Sequence, residues 1–332
     1  MTDQHAAAPT LSVVVPVYDE AAVLPALETR LFTVLEAACP EYEVVFVDDG
    51  SSDESPTILL GIAERNPRAR VLRFSRNFGH QAAVTAGIEH ARGSAVVVID
   101  ADLQDPPEVI PDLLAKWREG FEVVSAVRAE RLGEPPLRLF LIKAFYRVLQ
   151  RIASVDMTPD VGDFRLIDRR VADALNRLPE RNRYVRGLVR WLGFRHTEVR
   201  YTRAERFRGE TKYPFTKLVR LALDGVTAFS NFPLQLVAYL GFAVFALSVL
   251  LVLYALFGRV FSGETPAGWT SVFVAVAFLS GVQLVALGIL GAYVSRIFEE
   301  VKARPLYVIA SDSARPTADV ILPGQSATSS SL

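Results

Sequence analysis

Cysteine is nearly absent from this chain. Cys39 is the only one, so no internal disulfide can form and no thiolate metal cage can be built. A single thiol fits a reducing compartment. Histidine is scarce too: His5, His80, His90 and His196 are scattered, which argues against a zinc site. No G-x-G-x-x-G follows the first apolar run, where Pro16-Val17-Tyr18-Asp19-Glu20 stands instead, and no G-x-x-x-x-G-K-[ST] occurs anywhere. Dinucleotide oxidoreductase and P-loop readings therefore fail. The N-terminal MTDQHAAAPT has no apolar signal core, so the first domain is expected to stay in the cytoplasm.

Charge is missing from two long stretches, Gly225–Gly258 and Thr265–Ser295. They explain why a chain of 332 residues is 51% hydrophobic, with a mean hydropathy of +0.25. Each stretch exceeds the ~20 helical residues that cross a hydrocarbon layer. The Leu, Val and Phe residues of Leu234–Phe257 favour insertion by about 4–9 kcal/mol as an upper bound. Lys212, Lys217, Arg220, Arg296, Lys302 and Arg304 flank the outer ends of the pair, and Arg259 and Glu264 lie in the link between them. The positive-inside bias then places both termini in the cytoplasm, with the two spans forming a hairpin.

The net charge of -1 hides a basic block. Arg and Lys recur from Arg181 to Arg220, opposed only by Glu198, Glu205 and Glu210. Next to an apolar span, such a block suits lipid headgroups or a phosphate ligand better than nucleic acid. Leu137–Ile152 carries Lys143, Arg147 and Arg151 on one helical side, and Phe215–Ser230 shows a comparable pattern. Both read either as core helices with a solvated stripe or as amphipathic juxtamembrane helices.

The first hundred-odd residues alternate strand and helix. Leu11–Val17, Tyr42–Val47, Ala69–Phe74, Ala95–Ile99 and Phe121–Val127 read as buried strands. Helical patterns lie at Glu20–Ala38, Ser55–Asn66, Gly79–Ala91 and Pro107–Glu119, with Asp53 a candidate N-cap of the second. The expected fold is α/β, a mostly parallel sheet flanked by helices. Ligands of such sheets bind beyond the carboxyl ends of the strands.

Two acidic loops fall at that edge, Asp48-Asp49-Gly50-Ser51-Ser52-Asp53 and Asp100-Ala101-Asp102-Leu103-Gln104-Asp105. An isolated Asp-x-Asp is usually a loop whose aspartates bond their own backbone. Paired on one sheet edge, the carboxylates suit magnesium or manganese lying between them, bridging to phosphate oxygens and offsetting charge on a departing diphosphate. His80 starts a helix, either as a cap or packing residue or as a catalytic one.

PVYDE at Pro16–Glu20, VDDGSSD at Val47–Asp53, NFGHQ at Asn77–Gln81 and DADLQDPPE at Asp100–Glu108 resemble the family 2 glycosyltransferases. GDFRL at Gly162–Leu166 and RFRGETKY at Arg206–Tyr213 extend the match. Within that family the pattern is similar to the polyprenyl-phosphate glycosyltransferases, which include bactoprenol glucosyltransferases and dolichol-phosphate mannose synthases. The resemblance implies a GT-A fold and inverting transfer of a hexose, glucose first, from a nucleotide diphosphate sugar such as UDP-glucose to undecaprenyl phosphate at the cytoplasmic membrane face. It implies that Pro16, Tyr18, Glu20, Val47, Asp49 and Ala101 line the donor pocket. Asp100 lies near the sugar nucleotide, while Asp102 with Gln104 holds metal and diphosphate. Arg206 and Lys212 close a loop over the donor. Asp163 and Arg165 sit near the reacting sugar.

A lipid monophosphate needs no base, because it arrives largely as an anion. Interest shifts to cations that hold it, and Arg128, Arg131, Arg138 and Lys143 are the candidates. Asp163 is either a base, an orienting group or a structural ion-paired aspartate. The expected organisation is a flexible start at 1–10, a nucleotide-sugar half at 11–130, an acceptor half with juxtamembrane helices at 131–230, two spans at 231–296 and a largely disordered tail at 297–332. The two spans leave room for a homo-oligomer. Rival readings are mannosyl or aminoarabinosyl transfer, a processive polysaccharide synthase and a non-catalytic membrane adaptor. The processive enzymes generally carry Q-x-x-R-W, whereas Gly187-Leu188-Val189-Arg190-Trp191 lacks the Gln.

Overall fold

The computed structural model describes residues 9–128, 161–181, 183–202 and 268–314, together with isolated positions between 237 and 257 and Pro323. The chain divides into two units. One comprises Met1–Arg147, Val155–Lys212 and Arg304–Leu332, and the other Val148–Ser154 and Tyr213–Ala303.

The first unit is the expected α/β body. Its opening elements alternate as Leu11–Val17 (β1), Leu24–Ala38 (α1), Tyr42–Asp48 (β2), Ser55–Arg65 (α2), Ala69–Phe74 (β3), His80–His90 (α3) and Ala95–Val98 (β4). A 3-10 turn at Pro107–Val109 leads into Ile110–Arg118 (α4) and Val123–Arg128 (β5). Val161–Asp168 (β6), Arg169–Asn176 (α5), Val185–Trp191 (α6), His196–Tyr201 (β7) and Ile309–Asp312 (β8) complete it. The N-cap of α2 is Glu54 rather than the expected Asp53, which stands one residue earlier and accepts from the Ser55 N–H at 2.9 Å. The helix expected from Glu20 begins only at Leu24, because Glu20 and Asp19 are spent in a turn.

The eight strands lie in the order β7-β5-β6-β4-β1-β2-β3-β8. β1 pairs in parallel with β2 and β4, β2 with β3, and β5 with β7. β6 and β8 run antiparallel to their neighbours. Side-chain alternation splits each central strand between two apolar layers. Val13, Val15, Val44 and Phe46 face the layer holding Leu27 and Leu31 of α1, Leu59 of α2 and Leu113 of α4. Val14, Val96 and Val98 face Val84 and Ile88 of α3, Leu175 of α5 and Leu188 of α6. At roughly 1.5–3 kcal/mol for each fully buried Val, Leu or Phe, this two-sided burial accounts for the unbroken apolar strand sequences.

The tail departs from expectation. Residues 306–312 are ordered onto the sheet edge, where β8 pairs with β3. Tyr307 is fully buried, stacks on Phe74 at 5.1 Å and donates to Glu89 at 2.7 Å. Arg70 grips Asp312 through Nε at 3.0 Å and a second nitrogen at 2.6 Å. The aromatic stack and the paired charges anchor this segment to the sheet.

The second unit contains the helix Trp269–Val301 (α7). Its segment Phe278–Val301 has a mean hydropathy of 1.7, and it is the one helix among the described residues long and apolar enough to cross a membrane. Apolar side chains such as Phe278 and Leu284 stand exposed on it, at 65% and 70%. The helix runs past Ser295 to Val301, carrying Arg296, Glu299 and Glu300 beyond the uncharged stretch. The expected first span lies largely outside the described residues, although Val237, Tyr239–Val244, Ala246 and Leu247 among others are helical. The amphipathic patterns at Leu137–Ile152 and Phe215–Ser230 also lie outside them.

Candidate active site

Parallel pairing brings the carboxyl ends of β1, β2, β3 and β4 to one edge of the sheet, and with them both acidic loops. β6 runs the other way, with Val98 opposite Arg165, so Asp163 lies beyond the end of β4 on the same edge as Asp100.

The first acidic loop is bound up with its neighbours. Asp48 Oδ1 accepts from Ser51 N–H at 2.9 Å, and Arg73 Nε lies 3.3 Å from Oδ2. Asp19, at φ 52°, accepts from Ser52 N–H at 2.8 Å and Asp53 N–H at 3.3 Å. Asp49 accepts from Phe78 N–H at 2.7 Å and Gly79 N–H at 2.9 Å, so its carboxylate holds the loop leading into α3. Burial pushes the Asp49 carboxyl up even so, with these bonds opposing it. Gly50, at φ 70°, must be glycine: an added Cβ would stand 2.4 Å from the Arg76 backbone carbon.

The second loop carries strain and unmet charge. Leu103 is buried at φ 56°, a region that costs a branched residue of order 1–3 kcal/mol. Asp102 Oδ1 accepts from Gln104 N–H at 3.1 Å, and Tyr201 donates to Asp105. Asp100 Oδ1 is sealed from solvent with no hydrogen-bond partner. Its nearest cation is His80, at 3.7 Å. Burial pushes the Asp100 carboxyl up to about 6, with the His80 charge opposing and those of Asp163, Asp105 and Asp102 adding to it. Negative charge is thus unmet at the second loop, beside Asp100.

Asp163 is only 3% exposed. Arg186 of α6 donates to both of its oxygens, Nε to Oδ1 at 2.7 Å and a terminal nitrogen to Oδ2 at 2.8 Å. His80 Nε2 lies 3.0 Å from Oδ2. Burial alone would raise this carboxyl, but the Arg186 and His80 bonds and the charges of Arg186 and Arg165 hold it far below the usual carboxylate range. Arg165, on the same face of β6, is buried and donates to the Gly162 carbonyl at 2.8 Å. Burial pulls its pKa down to about 10, against the pull of Asp163. Gln81, one residue past His80, accepts from Val185 N–H at 3.0 Å and so docks α3 on α6.

Of the residues singled out by sequence, Asp100, Asp163 and Arg165 meet here, with Asp102 and Gln104 in the adjoining turn. Pro16, Tyr18, Glu20 and Asp49 stand at the ends of β1 and β2, with Tyr18 half exposed. The side chains of Val47 and Ala101 are buried. Arg128 ends β5 opposite Tyr201. Arg131, Arg138, Lys143, Arg206 and Lys212 lie outside the described residues. Arg186 was hidden within the basic block. A buried aspartate demands a partner, but nothing in the spacing said which arginine supplies it.

The match to known proteins is extensive. The family model for glycosyl transferase family 2 covers residues 12–175. An uncharacterized glycosyltransferase of Bacillus subtilis (strain 168), YkcC, is 47% identical over 298 residues, spanning 90% of this chain and 92% of the relative. The SfII prophage-derived bactoprenol glucosyl transferase of Shigella flexneri is 40% identical over 299 residues, spanning 90% and 97%. Among solved structures, glucosyl-3-phosphoglycerate synthase from Mycobacterium tuberculosis, in complex with Mn2+, UDP-glucose and phosphoglyceric acid, superposes with a TM-score of 0.47 at 20% identity over 66% of this chain and 79% of that one. At that distance the likeness carries no functional argument.

Proposed function

We propose that this chain, which belongs to glycosyl transferase family 2 and is a glycosyltransferase, moves a hexose from a nucleotide diphosphate sugar to a polyprenyl phosphate at the membrane. Glucose carried by UDP is the favoured donor, undecaprenyl phosphate the acceptor and inversion the stereochemical course. The observation that carries this reading is the 40% identity to a bactoprenol glucosyl transferase over 299 residues, a span too long to lie within the α/β unit alone.

The residues present fit a divalent cation, magnesium or manganese. Asp100 keeps a buried oxygen without a partner, amid the charges of Asp102, Asp105 and Asp163. Among the described residues no group of three or more His, Cys, Asp or Glu forms a metal cage. An ion held by Asp102 with Gln104 would be completed by substrate oxygens. When bound, the ion would supply charge stabilisation to the departing diphosphate.

The chain's own residues handle orientation and the remaining charge. Pro16, Tyr18, Glu20 and Asp49 frame the nucleoside, and Arg206 and Lys212 close over the donor. Arg128, Arg131, Arg138 and Lys143 draw in the lipid phosphate. That phosphate needs no base, so positioning and electrostatics carry the rate, and Asp163 serves orientation. The apolar helix α7, paired with the uncharged stretch Gly225–Gly258, holds the enzyme at the cytoplasmic face with both termini inside. The adaptor alternative is dropped for a member of an enzyme family, and the missing Gln at Gly187 weighs against a processive synthase.

The test is to incubate membranes containing the full chain with labelled UDP-glucose, GDP-mannose and a nucleotide aminoarabinose, each with undecaprenyl phosphate and magnesium or manganese. A glucosylated isoprenoid is expected. Mannose or aminoarabinose in the lipid would change the sugar alone, and no sugar-linked isoprenoid from any donor would overturn the reading.

A further inference from the structure

Asp163 is a buried carboxylate with no proton to remove in a reaction that needs no base, yet two helices converge on it. Arg186 reaches it from α6 with two bonds and His80 from α3 with one, while Arg165 lies 3.9 Å away on β6 itself. Such a network fixes a side chain. The one it fixes is His80: of the other members that are not fully buried, Gln81 spends its amide on Asp163 at 3.5 Å and on Val185 N–H, and Arg186 spends its fork on the carboxylate. The His80 side chain is 43% exposed.

An ionised carboxylate only accepts, so the bond to Asp163 requires the His80 proton on Nε2. Nδ1 is left with no protein partner among the described residues. The charged groups facing the ring are Asp163 on β6, Asp100 past β4, Asp49 past β2 and Arg186 on α6, with Arg165 behind Asp163. Burial pulls the His80 pKa down, but the Asp163 bond and the Asp100 and Asp163 charges outweigh it and raise the pKa overall. Both carboxylates lie on the Nε2 side, Asp163 at 3.0 Å and Asp100 at 3.7 Å, so an imidazolium held this way has its second N–H, on Nδ1, left for a ligand. A phosphomonoester anion supplies the acceptor oxygens that such a donor binds most strongly.

We propose that the open edge of His80 is a contact for the acceptor phosphate, and that Arg186 and Asp163 are positioning residues that hold the ring in place for it. This rests on the polyprenyl-phosphate reading above. The experiment is steady-state kinetics on the full-length enzyme in detergent with UDP-glucose and undecaprenyl phosphate, alongside calorimetric UDP binding. His80→Gln should raise the KM for undecaprenyl phosphate by about tenfold and leave the UDP-glucose KM within about twofold. His80→Arg should recover part of the acceptor KM by restoring the cation. Arg186→Lys, which keeps charge but loses the two-pronged grip, should shift the same KM by a smaller factor.

An unchanged acceptor KM in His80→Gln, or equal rises in both KM values, overturns the proposal while leaving the polyprenyl-phosphate reading intact. A wild-type enzyme that transfers nothing to the lipid overturns both. Retained UDP binding in His80→Gln separates a lost contact from a lost fold. If Arg186→Lys loses UDP binding, the His80 pair alone decides.

Discussion

The two acidic loops at the sheet rim are alike in sequence and opposite in behaviour. In the first, Asp48, Asp49 and Asp53 accept from backbone N–H groups of Ser51, Phe78 and Ser55, respectively, and Asp19 beside them accepts from Ser52. These bonds are what loop aspartates make for structural ends. Both loops seal one carboxylate oxygen without a hydrogen-bond partner, but Asp48 Oδ2 has the Arg73 guanidinium at 3.3 Å, whereas the cation nearest Asp100 Oδ1 is His80, at 3.7 Å, and the Asp100 pKa is pushed up to about 6. Counting carboxylates therefore misleads. The first loop spends its charge building the rim, and through Asp49 it steadies the turn from which His80 projects. The second keeps its charge available.

Asp102→Asn is the sharpest way to break that contrast. Transfer should fall by more than about 100-fold while the protein stays with the membrane fraction. Undiminished turnover across a range of magnesium and manganese concentrations would show that the second loop's charge is structural as well. Asp49→Ala should cost stability besides weakening donor binding. Two loop N–H groups lose their acceptor, so unfolding should become easier by about 1–3 kcal/mol, measured as a lower midpoint in thermal or urea melts. A melt indistinguishable from wild type would mean that the first loop does not brace α3.

The smallest expected effect has a diagnostic sign. The folded pKa of Asp100, about 6, lies above the ordinary value of about 3.9. An acid raised on folding is penalised when ionised. Metal-free protein should therefore lose stability as pH rises from about 4 to about 6 and carry the full penalty above that. Asp100→Asn should flatten this part of the profile and raise the Tm near pH 7 by a degree or two, at some loss of stabilisation by added manganese. A profile that keeps its slope in the variant would assign the titration to another group.

Most of the first half of the fold was legible because β1 to β4 and their helices repeat one pattern: a short apolar run, then an amphipathic stretch opening with a turn. β6 was visible only as the motif GDFRL, since a strand whose inner face carries Asp163 and Arg165 lacks the usual alternation of apolar and polar. β8 was missed for a different reason. Four residues at a sheet edge give no periodicity, and what orders them is Arg70, Phe74 and Glu89, all more than two hundred residues earlier. The donor-side candidates came from motif spacing. Arg186 did not, because its role exists only once α6 has docked against α3.

β6 places alternate residues on opposite faces. Phe164 packs against Tyr201 on one side, and Asp163 and Arg165 meet α3 and α6 on the other. A slip of one position against β4 would thrust both ions into the oily layer and turn Phe164 towards His80. The hydrophobic interior thus proofreads the polar one, and a chain that settles with its grease correctly stowed has also set its reactive groups to within a single peptide unit.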